Sequence, residues 1–126
     1  MPALLRSADV VVCPQRHEPF GVVPLEAMAC GVPVVASAVG GLAESVVHTA
    51  TGLLVPPRAP AALARAVRSL LRDDVRRQEL SFAARDRALV RYAWDRVVLE
   101  LVRVYERAAA QRQPAVPGRR EEIAGV

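Results

Sequence analysis

The stretch RHEPFGVVPLEAMACGVPVVAS, Arg16 to Ser37, contains the strongest signals for the class of fold. PLEAMAC, followed by Gly31, predicts a short helix that starts at Pro24, because proline favours the first helical position and glycine follows helix ends. VPVVAS, residues 32–37, then predicts a strand buried on both faces, since it is a run of apolar, mostly β-branched residues. A helix that leads through a glycine into a buried strand is typical of an α/β domain.

The flanking segments extend this pattern in both directions. ADVVVCP, residues 8–14, predicts an earlier strand that is also buried on both faces, and TGLLVPP, residues 51–57, predicts a third. Between them lie a turn at Gly40–Gly41 and a short helix over LAESVVH. The order β-α-β-α-β predicts about three parallel strands with flanking helices. Such a partial Rossmann-like sheet would leave one strand edge without a partner, as in the second half of a doubly wound domain.

The remainder of the chain is predicted to be helical. PAALARAVRSLLR has an apolar face and an arginine face, and Asp73 or Asp74 is placed to cap a further helix running to about Tyr92. WDRVVLELVRVYERAAA predicts a closing helix by the same periodicity. The tail after residue 110 is polar and contains Pro and Gly, so we expect one domain over residues 1–110 and a disordered segment over 111–126.

Composition restricts the function classes. The net charge is +4 and all 17 basic residues are arginine, but they are scattered among Asp and Glu along the helical segments. That pattern predicts a solvated face and no nucleic-acid partner. Cys13 and Cys30 lie in apolar runs without His or Cys at metal spacing, so we expect buried reduced thiols, no metal and no disulfide, in a cytoplasmic protein.

The loop QRHEPFGVV lies where ligands bind in open α/β sheets, beyond the carboxyl end of a strand. Gly21 allows the backbone to approach a ligand closely. Val23, at the expected N-cap, has no side-chain oxygen, which leaves the amides of Val22 and Val23 free to bind a phosphate. Glu18, in the loop, and Glu26, in the expected first helical turn, are carboxylates that can accept from sugar and ribose hydroxyls. The arrangement suits a nucleoside diphosphate joined to a sugar.

Residue type and spacing alone leave a plainer interpretation open. A glutamate in a first helical turn is commonly a cap or a partner of the helix dipole, which would account for Glu26 and for Glu44. Glu18 has the simpler interpretation of an exposed loop carboxylate, and His17 that of a loop or packing histidine. Two glutamates separated by seven uncharged residues do not decide between these interpretations.

A family resemblance favours the ligand interpretation. EPFGVVPLEAMACGVPVVASAVGGLAESV closely resembles the glutamate–seven–glutamate signature of retaining GT-B glycosyltransferases of family 4, the glycosyl transferases group 1. LLRSADVVVCP resembles the strand before that motif, TGLLVPPRAPAALARAVRSLLRD the segment after it, and YAWDRVVLELVRVYERA the closing helix. The resemblance covers about Pro2 to Ala110 and implies the C-terminal part of the donor-binding domain.

The resemblance also implies a role for each matching residue. Glu18 takes the catalytic position and contacts hydroxyls of the donor sugar, and Glu26 binds the ribose. The remaining matches are backbone positions: Phe20 and Gly21 against the sugar, Val22 and Val23 on the diphosphate, and Gly40 and Gly41 in a loop that lines the cleft. The implied reaction transfers a sugar, with retention of configuration, from a nucleotide-sugar such as a UDP-, GDP- or ADP-sugar. No metal or other cofactor is implied.

Two features qualify this expectation. Gln15 stands where serine is common, and the family's N-terminal acceptor-binding domain and the first half of its C-terminal domain have no counterpart in these 126 residues. We therefore expect the isolated chain to be inactive or weak, with an unknown acceptor and an N-terminal half supplied in cis or in trans. The alternative is a non-catalytic module that docks onto a separate polypeptide carrying that half. Nothing in the composition indicates membrane association, and no G-x-G-x-x-G supports a dinucleotide-binding oxidoreductase.

Overall fold

A computed structural model describes residues 1–18 and 20–112. In these residues the elements, in chain order, are α1 (Pro2–Arg6), β1 (Val11–Cys13), α2 (Val22–Ala29), β2 (Val34–Ser37), α3 (Gly40–Ser45), β3 (Gly52–Val55), α4 (Pro60–Arg72), α5 (Asp74–Arg91) and α6 (Trp94–Ala110). The chain divides into two units, one over Met1–Ala93 and one that begins at Trp94. The first unit contains the sheet and α1 to α5, and the second contains α6.

The sheet confirms the predicted parallel topology. Its order is β1-β2-β3, with both pairs parallel, so β2 is central. Val34 pairs with Val11 on one side and with Gly52 on the other. All four residues of β2 are buried, as the apolar run at residues 32–37 predicts, although the strand itself begins two residues later.

The prediction for the first strand is wrong in two respects. β1 is only three residues long, and it is not buried on both faces, because Val12 is 39% exposed and Val11 is half-buried. The physical reason is its position at the edge of the sheet, where β2 is its single strand partner among the residues described. A continuous apolar run therefore did not distinguish an edge strand from a central one.

Apolar side chains cover both faces of the sheet. Val34 and Ala36 belong to one buried cluster, with Met28 of α2 and Leu42 of α3. Val35 points the other way, as alternation along a strand requires, into a second cluster with residues of β3, α4 and α5. Helices on both faces of a parallel sheet form the three-layer α/β arrangement that the element order predicts.

The helical half of the chain matches its prediction closely. α4 covers the predicted run, and α5 begins after Asp73, whose carboxylate accepts a hydrogen bond of 3.0 Å from the Arg76 amide. α6 forms over the predicted closing helix. The predicted disordered tail lies outside the described residues, apart from positions 111 and 112. Among the helices of the described ranges, none combines the length and apolarity needed to cross a bilayer.

Candidate functional site

The candidate site is built at the carboxyl ends of the parallel strands, where helix N-termini converge. The β1–α2 loop, residues 14–21, follows Cys13, the last residue of β1. Cys13 is 1% exposed, and burial, together with the nearby negative charge of Glu18, raises the pKa of its thiol to about 11. The thiol is therefore protonated at neutral pH and packs as a small apolar group. Cys30 is only half-buried, which corrects the expectation that both thiols are buried.

Gly21 ends the loop and starts the helix. Its φ of +83° places it in the left-handed region, and it is the N-cap of α2 with no side-chain cap. The sequence predicted Val23 as the N-cap and Pro24 as the first helical residue, so this prediction is wrong by two residues. Pro24 is instead the third helical residue, which is allowed because amides in the first turn have no intrahelical partner.

The corrected helix start leaves two backbone amides available. The first hydrogen bond into α2 runs from the Leu25 amide to the Gly21 carbonyl, at 3.4 Å. The amides of Val22 and Val23 precede it, and Pro24 has none, so neither valine amide has an intrahelical acceptor. Both valines are exposed, at 51% and 44%. The positive end of the helix dipole thus coincides with two amides that have no intrahelical acceptor.

Glu18 holds the loop against this helix start. Its Oε1 accepts a hydrogen bond of 3.1 Å from the Gly21 amide and a longer one of 3.5 Å from the Phe20 amide. The side chain is half-buried and is not an unattached surface carboxylate. Both bonds fall on Oε1, so Oε2 makes no hydrogen bond to another described residue. One oxygen organises the loop, and the other is available to a ligand.

Glu26 does not cap the helix. With Gly21 as the N-cap, it is the fifth helical residue and lies in the second turn, which corrects the prediction of a first-turn position. Its side chain is exposed and makes no hydrogen bond or ion pair with another residue in the described part of the chain. The cap interpretation therefore does not account for Glu26, while Glu18 does satisfy backbone amides.

Gly40 and Gly41 brace the β1–α2 loop from behind. They were predicted to form a turn before the helix, but they are the first two residues of α3. The Gly41 amide donates to the Glu18 carbonyl at 2.8 Å. A Cβ on Gly40 would lie 2.2 Å from the Glu18 carbonyl oxygen, and one on Gly41 would lie 2.2 Å from the Phe20 carbonyl. Only glycine permits this backbone contact.

Two polar residues that the sequence did not single out support the same contact. Ser45, which is 3% exposed, donates through Oγ to the Gly41 carbonyl at 2.7 Å and reaches the Phe20 carbonyl at 3.5 Å. Arg87 on α5 donates to the carbonyls of Ser45 and Glu44, both at 3.2 Å. Arg87 is 42 positions from Ser45 in the chain, and no local pattern could have indicated the pair.

The structure thus brings together most of the predicted site. Glu18, Phe20, Gly21 and the two valine amides lie on one continuous segment, and Gly40–Gly41 touch it from α3. Phe20 is 61% exposed, so its side chain packs little and its backbone carries the contacts. Among residues 1–18 and 20–112, no group of three or more His, Cys, Asp or Glu is arranged to hold a metal ion. The site thus combines two backbone amides that have no intrahelical acceptor with two carboxylates.

Comparison with known proteins places this geometry in a family. The family described as "Glycosyl transferases group 1" matches residues 1–87. A glycogen synthase of Mycobacterium tuberculosis is 44% identical over 118 residues, which cover 91% of this chain and 28% of the synthase. The chain thus spans a little over a quarter of the length of that curated relative.

Solved structures agree on the fold. The sucrose-phosphate synthase of Thermosynechococcus elongatus is 41% identical with a TM-score of 0.82, over 86% of this chain and 27% of that one. Anabaena HepE in complex with UDP-glucose is 31% identical with a TM-score of 0.74, over 85% of this chain and 29% of that one. The chain belongs to the glycosyl transferases group 1, and its fold is that of the C-terminal part of a GT-B glycosyltransferase.

Proposed function

We propose that this chain forms the nucleotide-sugar donor site of a retaining, family 4 glycosyltransferase. The observation that carries the proposal is the pair of free amides at Val22 and Val23, at a helix start whose loop is fixed by Glu18. Two amides and a helix dipole favour a diphosphate. The capture of UDP-glucose by the related HepE supports a donor of the same chemical class.

In this proposal the two glutamates divide the recognition of the donor. Glu26 accepts hydrogen bonds from the ribose hydroxyls, because it is exposed one turn beyond the amides. Glu18 uses Oε2 for the sugar hydroxyls while Oε1 stays on the Gly21 amide. The backbone of Phe20 and Gly21 shapes the loop against the sugar. Glu18 is thereby both the catalytic position and the residue that keeps the loop in place.

The proposed chemistry is stabilisation of the leaving diphosphate without a metal. As the bond between the sugar and the diphosphate breaks, negative charge grows on the phosphate oxygen. Preorganised amide donors stabilise that charge without having to reorient. The acceptor and further cations would come from outside these 126 residues, so the chain alone should transfer sugar weakly or not at all. In a complete enzyme, the product should keep the anomeric configuration of the donor, which proton NMR of the product measures.

The test is titration of the 126-residue chain with UDP and with UDP-glucose by calorimetry. Glu26→Gln should weaken the binding of both ligands by about tenfold or more, which is the cost of losing one hydrogen bond to a charged group. Glu18→Gln should weaken UDP-glucose more than UDP, and its amide oxygen can still accept from the Gly21 amide. Glu79→Gln, an exposed glutamate on α5, is the matched control and should change neither affinity. Unchanged binding in both site variants, or vigorous transfer by the chain alone, would contradict the proposal.

A second candidate function is supported by the free edge of the sheet. β1 pairs only with β2 among the described strands, and Val12 on it is 39% exposed. Such an edge can add a strand from another polypeptide, so the chain would then be a docking module with no transfer role. A monomeric, folded chain that does not associate with an N-terminal GT-B half in light scattering would remove this candidate.

A further inference from the structure

We propose that the cavity between the three strand ends and α4 is a second anion site, which binds a phosphate monoester. The cavity has a volume of about 270 Å³. Its lining comes from the carboxyl end of each strand: Pro14 and Arg16 after β1, Ser37 at the end of β2, and Arg58 after β3. Three separate parts of the chain therefore converge on it, and the third continues into the first residues of α4.

The charge of the cavity is positive and unbalanced. Arg16 and Arg58 both line it, both are exposed, and neither makes a hydrogen bond or an ion pair with another described residue. No Asp or Glu is among the lining residues. Guanidinium groups bind phosphate oxygens in pairs, and two of them at one cavity favour a dianion over a single carboxylate.

The backbone at Arg58 is held in an unfavourable conformation. Its φ is +57°, in the left-handed region that costs a non-glycine residue roughly 1–2 kcal/mol. The loop thus keeps an arginine at a position that glycine would occupy without strain. Immediately after it comes Ala59, the N-cap of α4, which has no side-chain oxygen. The dipole of this 13-residue helix adds to the positive potential at the cavity.

The remaining walls indicate the rest of the ligand. Ser37, which is 4% exposed, contributes a polar side chain to the wall of the cavity. Val55 and Leu63 contribute apolar surface. The volume lies just below the roughly 300–1,000 Å³ of drug-sized sites. A phosphate with a small organic body fits this volume. No residue from Glu18 to Glu26 lines it, so the inference does not rest on the proposed function.

The experiment is an NMR titration of the ¹⁵N-labelled 126-residue chain at constant ionic strength. The probes are inorganic phosphate and glucose 6-phosphate, with glucose as the uncharged control. Saturable shifts should centre on the amides of Ser37, Arg58 and Ala59. The double variant Arg16→Gln/Arg58→Gly should weaken phosphate binding by about tenfold or more. It should still fold, because glycine relieves the left-handed conformation at position 58.

The matched control is Arg65→Gln/Arg68→Gln, which removes the same charge from α4 outside the cavity. Glucose 6-phosphate binding at least about tenfold tighter than phosphate supports an organic phosphate monoester as the ligand, and equal affinities contradict that assignment. The inference is overturned if neither probe saturates, if the control variant weakens binding equally, or if UDP displaces the phosphate. Glu26→Gln should leave phosphate binding intact while weakening the binding of UDP. Failure of the proposed donor site can therefore be distinguished from failure of the proposed phosphate site.

Discussion

Substitution of Gly41 by alanine should separate α3 from the β1–α2 loop. The new Cβ would lie 2.2 Å from both the carbonyl carbon and oxygen of Phe20 and 2.5 Å from its Cα. These are backbone atoms, so no side-chain rotation relieves the overlap. The movement that does relieve it also lengthens the 2.8 Å hydrogen bond from the Gly41 amide to the Glu18 carbonyl. Because Glu18 positions the loop, the change reaches the helix start at Val22.

The expected loss of stability is the sum of two effects. Overpacking of a well-packed contact costs about 1–3 kcal/mol and a lost hydrogen bond about 0.5–1.5 kcal/mol, which together give about 1.5–4.5 kcal/mol. Gly31→Ala is the matched control. A Cβ there meets nothing within 4 Å, and only its φ of +73° is unfavourable, which costs about 1–2 kcal/mol.

Urea denaturation followed by circular dichroism measures both variants, and calorimetry measures their affinity for UDP-glucose. We expect Gly41→Ala to lose more stability than Gly31→Ala and to bind UDP-glucose several-fold more weakly, while Gly31→Ala binds normally. Equal stability of the two variants together with unchanged binding by Gly41→Ala would refute the bracing role of α3.

Three further predictions concern the scaffold. The pKa of Cys13 is raised from 9.0 to about 11, so between these values the unfolded chain ionises and the folded one does not. Stability should therefore fall by on the order of 2 kcal/mol as pH rises through this range, and Cys13→Ala should abolish that loss in denaturation at pH 8 and pH 11. Asp73→Ala should lower the unfolding free energy by about 1 kcal/mol through loss of the α5 cap, whereas Asp86→Ala on the exposed face should not. Arg87→Met should lower it by about 1 kcal/mol and weaken UDP-glucose binding, since it frees two carbonyls at the end of α3; unchanged values in both assays would contradict this role.

Local chemistry in the sequence was enough to predict most elements. Strands that alternate with helices predict a parallel sheet. The apolar, mostly β-branched run at residues 32–37 predicts a buried strand, and all four residues of β2 are buried. An aspartate cap was predicted at Asp73 or Asp74 because both precede a periodic run, and the structure identifies Asp73 as the cap. These predictions depend on residues within one or two turns of each other.

The predictions are wrong where the structure of a segment depends on residues that are far from it in the sequence. β1 has the composition of a central strand, but its edge position follows from the pairing of other strands. α2 begins at Val22 and not at the predicted Pro24, because Gly21 takes a left-handed conformation that allows the loop to contact Gly41. Glu18 accepts a hydrogen bond from the Gly21 amide, and Arg87 donates one to the Ser45 carbonyl. Neither contact can be predicted from the spacing of residues in the sequence.

The central claim is that the free amides at the start of α2 bind a diphosphate. Its most direct test is a ¹H–¹⁵N NMR titration of the 126-residue chain with UDP. We predict that the amides of Val22 and Val23 show the largest shifts, that they move downfield as they donate to phosphate oxygens, and that uridine alone does not produce this effect. Unshifted valine amides at saturating UDP, or shifts centred on another part of the chain, would contradict the claim.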